Sequence, residues 1–260
     1  MKIKANGISI NYQVDGPDGA PWLVLSNSLA TNLTMWDEQA RELGRALRVL
    51  RYDQRGHGAT EAPAGRYPFD LLIADALALM DALAIRKAHF GGLSMGGATA
   101  LGLAQKHADR LDRVIVCDSP CQSTPTSSQQ WEERIVVAQA QGMEALVEPT
   151  IARWFPPDVI KANPPHVDKV RQMIRSTPVD GFIGCAAALA DHDYAAAVAR
   201  VTRPVLFLVG EKDAAAPPMR KLNEALPGSR FIELAGAGHI SNLDQPEGFT
   251  RAVKDFLAAK

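Results

Sequence analysis

Apolar and polar positions along this chain follow two periods, and the chain switches between them repeatedly. The stretch "ISINYQVDG" (8–16) alternates every second residue and stops at Gly-Pro, as a half-exposed hairpin strand does. "PWLVLSNS" (21–28), "RVLRYD" (48–53), "KAHFGG" (87–92), "DRVIVCD" (112–118), "RPVLFLVG" (203–210) and "SRFIEL" (229–234) are brief apolar runs, most closing near Gly, Asp or Ser. They predict buried strands of a largely parallel sheet. Between them, "MWDEQARELGRAL" (35–47), "FDLLIADALALMDALAI" (69–85), "SMGGATALGLAQKHA" (94–108), "MRKLNEALP" (219–227) and "PEGFTRAVKDFLAAK" (246–260) have the spacing of helices. Strand and helix in alternation predict an α/β fold, with a mostly parallel central sheet of about eight strands flanked by helices.

One segment breaks this rhythm. From Gln122 to Asp191 no buried-strand pattern occurs, and Ser, Pro and Gly punctuate what reads as three or four short helices. The expected organisation is a core made of residues 1–121 and 192–260, with residues 122–191 inserted as a helical cap.

Composition narrows the function classes. A chain of 260 residues that is 47% hydrophobic can bury one substantial core. A net charge of -1 without any Lys/Arg run argues against nucleic acid as a partner. No apolar run reaches membrane-spanning length, and "MKIKANGISINY" alternates where a signal peptide would be continuously apolar, so a cytoplasmic protein without membrane attachment is expected. Cys117, Cys121 and Cys185 form an odd set without metal-ligand spacing, which predicts buried reduced thiols. In that compartment the "NLT" sequon at Asn32 has no meaning. "DHD" at 191–193 lacks further clustered ligands, and a helix-capping role for Asp191 or Asp193 is the simpler expectation.

The chemistry concentrates in "HFGGLSMGGATA" (89–100). Gly92-Leu93-Ser94-Met95-Gly96 is a G-x-S-x-G placed after a predicted strand and before a predicted helix, the context of a nucleophile elbow. Side chains at the flanking positions would collide with the neighbouring strand and helix, so glycine permits the turn. A phosphate-cradling loop fits poorly, because no Walker lysine and no G-x-G-x-x-G is present. A Gly-rich helix start that merely packs tightly is the structural alternative.

A serine hydroxyl needs a positioned base. His239, in the Gly-flanked loop "GAGHISNLDQPE" after the last predicted strand, is the candidate. His57 belongs to an "RGHG" turn, His89 to a strand and His107 to a helix end, while His166 and His192 lie in or beside the cap. Asp213 in "VLFLVGEKDAAAP" completes the order Ser94, Asp213, His239 that the motif expects. Asp118 is the rival acid, since it too ends a strand, and Asp53 in "YDQRGHG" reads as the brace of a turn.

"GGLSMGG", "RYDQRGHGAT", "GEKDAAAP" and "GAGHI" resemble the α/β-hydrolase superfamily over essentially the whole chain, and "LSNSLATNLTMW" (25–36) resembles the 3-oxoadipate enol-lactonases. Asn27-Ser28 stands where most α/β-hydrolases carry His-Gly, which favours the lactonase group over a generic esterase. Ser94 at the elbow excludes the Asp-based chemistry of epoxide hydrolases and haloalkane dehalogenases.

The resemblance implies opening of an enol-lactone through an acyl-enzyme, with backbone N–H groups of Leu29 and Met95 as the oxyanion hole and no metal or organic cofactor. The implied substrate is a small anionic lactone, so a cation beside flat apolar walls is expected in the cap. Trp131, Arg134, Ile135 and Ala138 share one helical face by their spacing. Arg134 is the candidate carboxylate partner, with Trp131 and Trp154 as walls, while Glu132 and Glu133 are expected to face water. The same triad also suits a broad carboxylesterase or a cofactor-free perhydrolase, and the same fold a ligand sensor without turnover. The oligomeric state is left open.

Overall fold

Eight strands form one sheet in the computed structural model, which describes residues 1–259. They are β1 (Lys2–Ala5), β2 (Ile8–Asp15), β3 (Trp22–Ser26), β4 (Arg48–Tyr52), β5 (Ala88–Leu93), β6 (Leu111–Cys117), β7 (Val205–Gly210) and β8 (Arg230–Leu234), in the spatial order β1-β2-β4-β3-β5-β6-β7-β8. Strands β3 to β8 are parallel, and β2 runs antiparallel to both its neighbours. The early strand expected at 8–16 is β2, and a further strand, β1, precedes it. The chain folds back at Asn6-Gly7, both at positive φ (46° and 78°), as a two-residue hairpin turn requires. The apolar positions change phase at the turn, from Ile3 and Ala5 to Ile8, Ile10 and Tyr12.

Helices α1 (Asp37–Leu43), α2 (Phe69–Ala82) and α3 (Met95–Lys106) follow β3, β4 and β5. Both faces of the inner strands are covered, and all six residues of β7 are buried. That burial explains why these strands read as continuous apolar runs. In α3 every residue from Met95 to Ala104 is buried, so a helix made of Gly, Ala and Leu lies close against the sheet.

Between β6 and β7 lie α4 (Pro125–Gln141), α5 (Glu144–Trp154), α6 (Pro157–Ala162), α7 (Pro165–Ser176) and α8 (Val179–Asp191). These five helices exceed the three or four expected, because only Gly142-Met143 separates α4 from α5 and because α5 runs on through Pro149. Thr124 and Ser127 cap α4 reciprocally, each side chain bonding the other's backbone N–H. The segment leaves and rejoins the core side by side: Ser123 N–H donates to His192 C=O and Tyr194 N–H to Cys121 C=O, both at 2.8 Å. Asp193 accepts from Ala195 N–H two residues on, but the N-cap of the short 3-10 helix at Ala195–Arg200 is Tyr194, so the expected capping role does not fall to the "DHD" aspartates there. The chain closes with α9 (Ala216–Ala225), α10 (Ser241–Asp244) and α11 (Pro246–Ala258). Cys117, Cys121 and Cys185 are buried free thiols. Among the described residues no helix is long and apolar enough to cross a membrane.

Candidate active site

Ser94 is the single residue between the end of β5 and the start of α3, and its φ is 56°. A non-glycine residue in that region stores of order 1–3 kcal/mol of strain and persists only where its surroundings over-determine it. Here Ser94 N–H donates to Cys117 C=O at 2.8 Å, and Ser94 C=O accepts from Ala98 N–H at 2.9 Å. A Cβ on Gly92 would lie 2.1 Å from Gly96 O, and one on Gly96 would lie 2.2 Å from Ser26 O. The glycines therefore let helix and strands meet at backbone distance. From Phe90 to Ala104, Ser94 alone is not fully buried.

Asp213 follows β7 and His239 follows β8, and the structure joins them: His239 Nδ1 lies 2.9 Å from Asp213 Oδ2. The histidine is held from the inserted helices as well. Its N–H donates to Trp154 C=O at 2.8 Å, and the Trp154 ring packs against the imidazole with centroids 5.6 Å apart. Among the described residues no hydrogen bond or ion pair joins Asp118, the rival acid, to the imidazole. Asp118 is wholly buried, accepts from Gly210 N–H at 2.8 Å and takes a hydrogen bond from the Ser241 hydroxyl.

Electrostatics separates the two carboxyls. Burial, with Asp213 nearby, pushes Asp118 well above the usual carboxylate range. Burial also pushes Asp213 upward, but His239, Ala215 N–H and Asp118 outweigh it and hold Asp213 below its ordinary value. The carboxyl whose proton affinity is held down is the one that faces the histidine. Ser94 and His239 line the same cavity. Among the described residues no hydrogen bond joins Ser94 Oγ to the imidazole, and contacts of this kind commonly tighten when substrate enters.

Met95 N–H opens α3 and so has no acceptor within its helix. Leu29 N–H meets no acceptor among the described residues, and Leu29 lines the cavity. Asn27, in the His-Gly position, is buried and braces this loop: its Nδ2 donates to Ser28 C=O (2.8 Å) and Thr31 C=O (3.1 Å), and its Oδ1 accepts from Gln54 N–H (2.9 Å). Asp53 is the turn brace expected of it, with Oδ1 accepting from Leu33 N–H and Oδ2 from Ala59 N–H.

The cavity has a volume of about 250 Å³, and α4 and α5 supply its far wall through Gln130, Trp131, Arg134, Arg153 and Trp154. The Arg134 guanidinium sits over the Trp131 ring, 4.4 Å from its centroid. Arg153 was missed in the sequence, although it adjoins Trp154, because a lone arginine in a helix carries no motif. Among the described residues neither arginine has a carboxylate partner. Burial lowers the affinity of both for their protons, and Arg153, with Arg134 repelling it in addition, is brought down to about 10. Glu132 and Glu133 both reach solvent as expected, and Glu132 also forms a surface ion pair with Arg66. A larger surface depression of about 810 Å³, near Trp22, Arg86 and Arg110, lies away from all these residues.

A serine on a strained strand-to-helix turn, with an aspartate and a histidine from the ends of later parallel strands, defines the class. A family model of the alpha/beta hydrolase fold matches residues 21–246. The chain belongs to the α/β-hydrolase family and is a hydrolase of it. Among its relatives is 3-oxoadipate enol-lactonase 2 of Acinetobacter baylyi, 35% identical over 97% of this chain and 94% of that protein. The crystal structure of the enol-lactonase from Burkholderia xenovorans LB400 superposes with a TM-score of 0.96 and 40% identity, covering 100% of both chains. A thermophilic esterase from Thermogutta terrifontis, solved with malate bound, superposes with a TM-score of 0.93 and 28% identity over 99% of this chain and 98% of that one.

Proposed function

We propose that this chain opens 3-oxoadipate enol-lactone to 3-oxoadipate in the β-ketoadipate pathway of aromatic-compound catabolism. Ser94 Oγ attacks the lactone carbonyl and its proton passes to His239 Nε2, while Asp213 holds the imidazole tautomer and stabilises the imidazolium. Leu29 N–H and Met95 N–H receive the oxyanion, each such donor being worth about 3 kcal/mol in the transition state. The ring C–O bond breaks and the leaving enol takes the proton from His239, then tautomerises to the ketone and draws the reaction forward. Water, deprotonated by His239, attacks the acyl carbon and frees Ser94. The helical segment 122–191 acts as a lid over the core formed by residues 1–121 and 192–260.

The observation that carries this reading is the pair of unpaired guanidiniums, Arg134 and Arg153, in the same small cavity as Ser94. Arg134 is half-buried and Arg153 more exposed, and with no carboxylate beside either one, a substrate carboxylate between the two would gain charge-assisted hydrogen bonds from both. Trp131 and Trp154 supply flat walls for a ring. The names of the relatives point the same way.

The test is steady-state loss of the enol-lactone absorbance, with p-nitrophenyl acetate as a second substrate. We expect kcat/KM for the lactone to exceed that for the aryl ester, and Ser94→Ala to lower kcat by about 10⁵-fold or more. Brisk ester hydrolysis beside negligible lactone turnover would instead identify a broad carboxylesterase.

A further inference from the structure

We infer that His57 is a positioning residue for the oxyanion hole: its Nε2 lone pair fixes Ala30 N–H, and so turns the neighbouring Leu29 N–H toward the catalytic cavity. The inference rests on the acyl-enzyme reading above.

The backbone donors of the loop after β3 can be followed one by one. Ser28 N–H points at Met35 Sδ (3.4 Å), Ala30 N–H donates to His57 Nε2 (2.8 Å) and Thr31 N–H donates to Ser28 C=O (3.3 Å). Leu29 N–H, between two committed donors, has no acceptor among the described residues, and Leu29 lines the cavity. Ala30 has a φ of 57°, a conformation that a residue with a Cβ adopts only under constraint. The bond to His57 supplies that constraint.

His57 is suited to accept. It is fully buried, and its Nδ1 lies 3.0 Å from Arg55 C=O. A carbonyl oxygen only accepts, so Nδ1 carries the hydrogen and Nε2 carries the lone pair. Burial lowers the proton affinity of the ring and protects that arrangement; a protonated ring would set Nε2–H against Ala30 N–H.

The turn that carries His57 grips the loop at three successive points. Gln54 N–H donates to Asn27 Oδ1, His57 accepts from Ala30, and Asp53 Oδ1 accepts from Leu33 N–H at 2.6 Å. The turn is itself closed by His57 N–H on Gln54 C=O and Thr60 N–H on His57 C=O, both at 3.0 Å. Asn27 Nδ2, Thr31 Oγ1 and Thr31 N–H hold the Ser28 carbonyl on one side of Leu29, and His57 holds the following peptide through Ala30 N–H.

The test compares His57→Leu with His57→Gln, whose amide oxygen restores an acceptor. Deleting an oxyanion donor outright costs about 10²- to 10³-fold, so misdirecting one in His57→Leu is expected to lower kcat by about 10- to 100-fold. KM and the affinity for adipate, a ground-state ligand, stay unchanged. Phosphonylation of Ser94 by a p-nitrophenyl phosphonate, whose anionic oxygen enters the same hole, should slow in parallel, and His57→Gln should recover most of both losses. A kcat and a phosphonylation rate at wild-type level in His57→Leu overturn the inference, as does an equal change in adipate affinity, which marks general loosening. Should His57→Leu fail to fold, ¹⁵N NMR of the wild-type imidazole decides: a neutral ring protonated at Nδ1 at pH 7 supports the inference, and protonation at Nε2 overturns it. If Ser94 of the wild-type protein is not phosphonylated at all, the acyl-enzyme reading itself has failed.

Discussion

Two walls enclose the cavity, and they are built on opposite terms. On the sheet side polar groups are committed before any substrate arrives: Asp213 to His239 and Ala215, Asn27 to Ser28, Thr31 and Gln54. Three non-glycine residues held at positive φ, Ala30, Ser94 and Asp118, follow the neighbouring strands β3, β5 and β6. On the helical side the guanidiniums of Arg134 and Arg153 have no carboxylate partner among the described residues. The contrast separates two physical demands. Charge that develops during a reaction is best met by dipoles already aligned. A charge the substrate brings is best met by one left uncompensated, since a built-in partner would have to be displaced first.

That contrast is most exposed to failure at the two carboxyls on the sheet side. Asp213→Asn is expected to lower kcat by about 10⁴-fold, because the imidazole loses the partner that sets its tautomer. Asp118→Asn keeps an acceptor for Gly210 N–H and should stay within about tenfold of wild type by the same reasoning. Equal losses in steady-state assays would mean that the two act as one unit.

The helical wall should respond differently. Arg153→Ala and Arg134→Ala are each expected to raise KM for the anionic lactone by about 10- to 100-fold, the range of a charge-assisted hydrogen bond, with kcat nearly unchanged. KM for p-nitrophenyl acetate, which is uncharged, should not move. A parallel rise for the ester would show that the arginines act by packing, and the division between the walls would dissolve.

The smallest expected effect concerns acid stability. Burial holds His57 and His192 below the ordinary histidine value of 6.5, so the unfolded chain binds more protons than the folded one as pH falls past that value. Stability should therefore be fully present above about pH 6.5 and decline below it, by about 1.4 kcal/mol per pH unit for each histidine kept neutral. Urea titrations between pH 7.5 and 5 check this, and a flat profile would show that these rings take up protons without cost in the fold.

Much of this architecture lies in local pattern. The run "RPVLFLVG" contains a strand buried on both faces, because a chain that meets no water on either side has no polar position to place. The elbow is equally local, since a tight turn between strand and helix admits only glycine where backbones touch. What escaped was either continuous with its surroundings or distant in the chain. The hairpin at Asn6-Gly7 joins two stretches of the same period and is marked only by a shift of phase, and α5 runs through a proline that reads as a stop. Glu132 faces solvent as its position suggests, and only the fold brings Arg66 within reach of it.

By itself, then, the sequence determined the layered α/β order, the strained serine and the chain order Ser94, Asp213, His239, because steric limits and hydrophobic period act over a few neighbouring residues. Tertiary structure decided that Asp213 rather than Asp118 faces the histidine, that Trp154 backs it, that Arg153 joins Arg134, and that His57 grips Ala30. Each of these choices lies between groups of the same chemical type, and only the folding of distant segments to within hydrogen-bond or Coulombic reach distinguishes them.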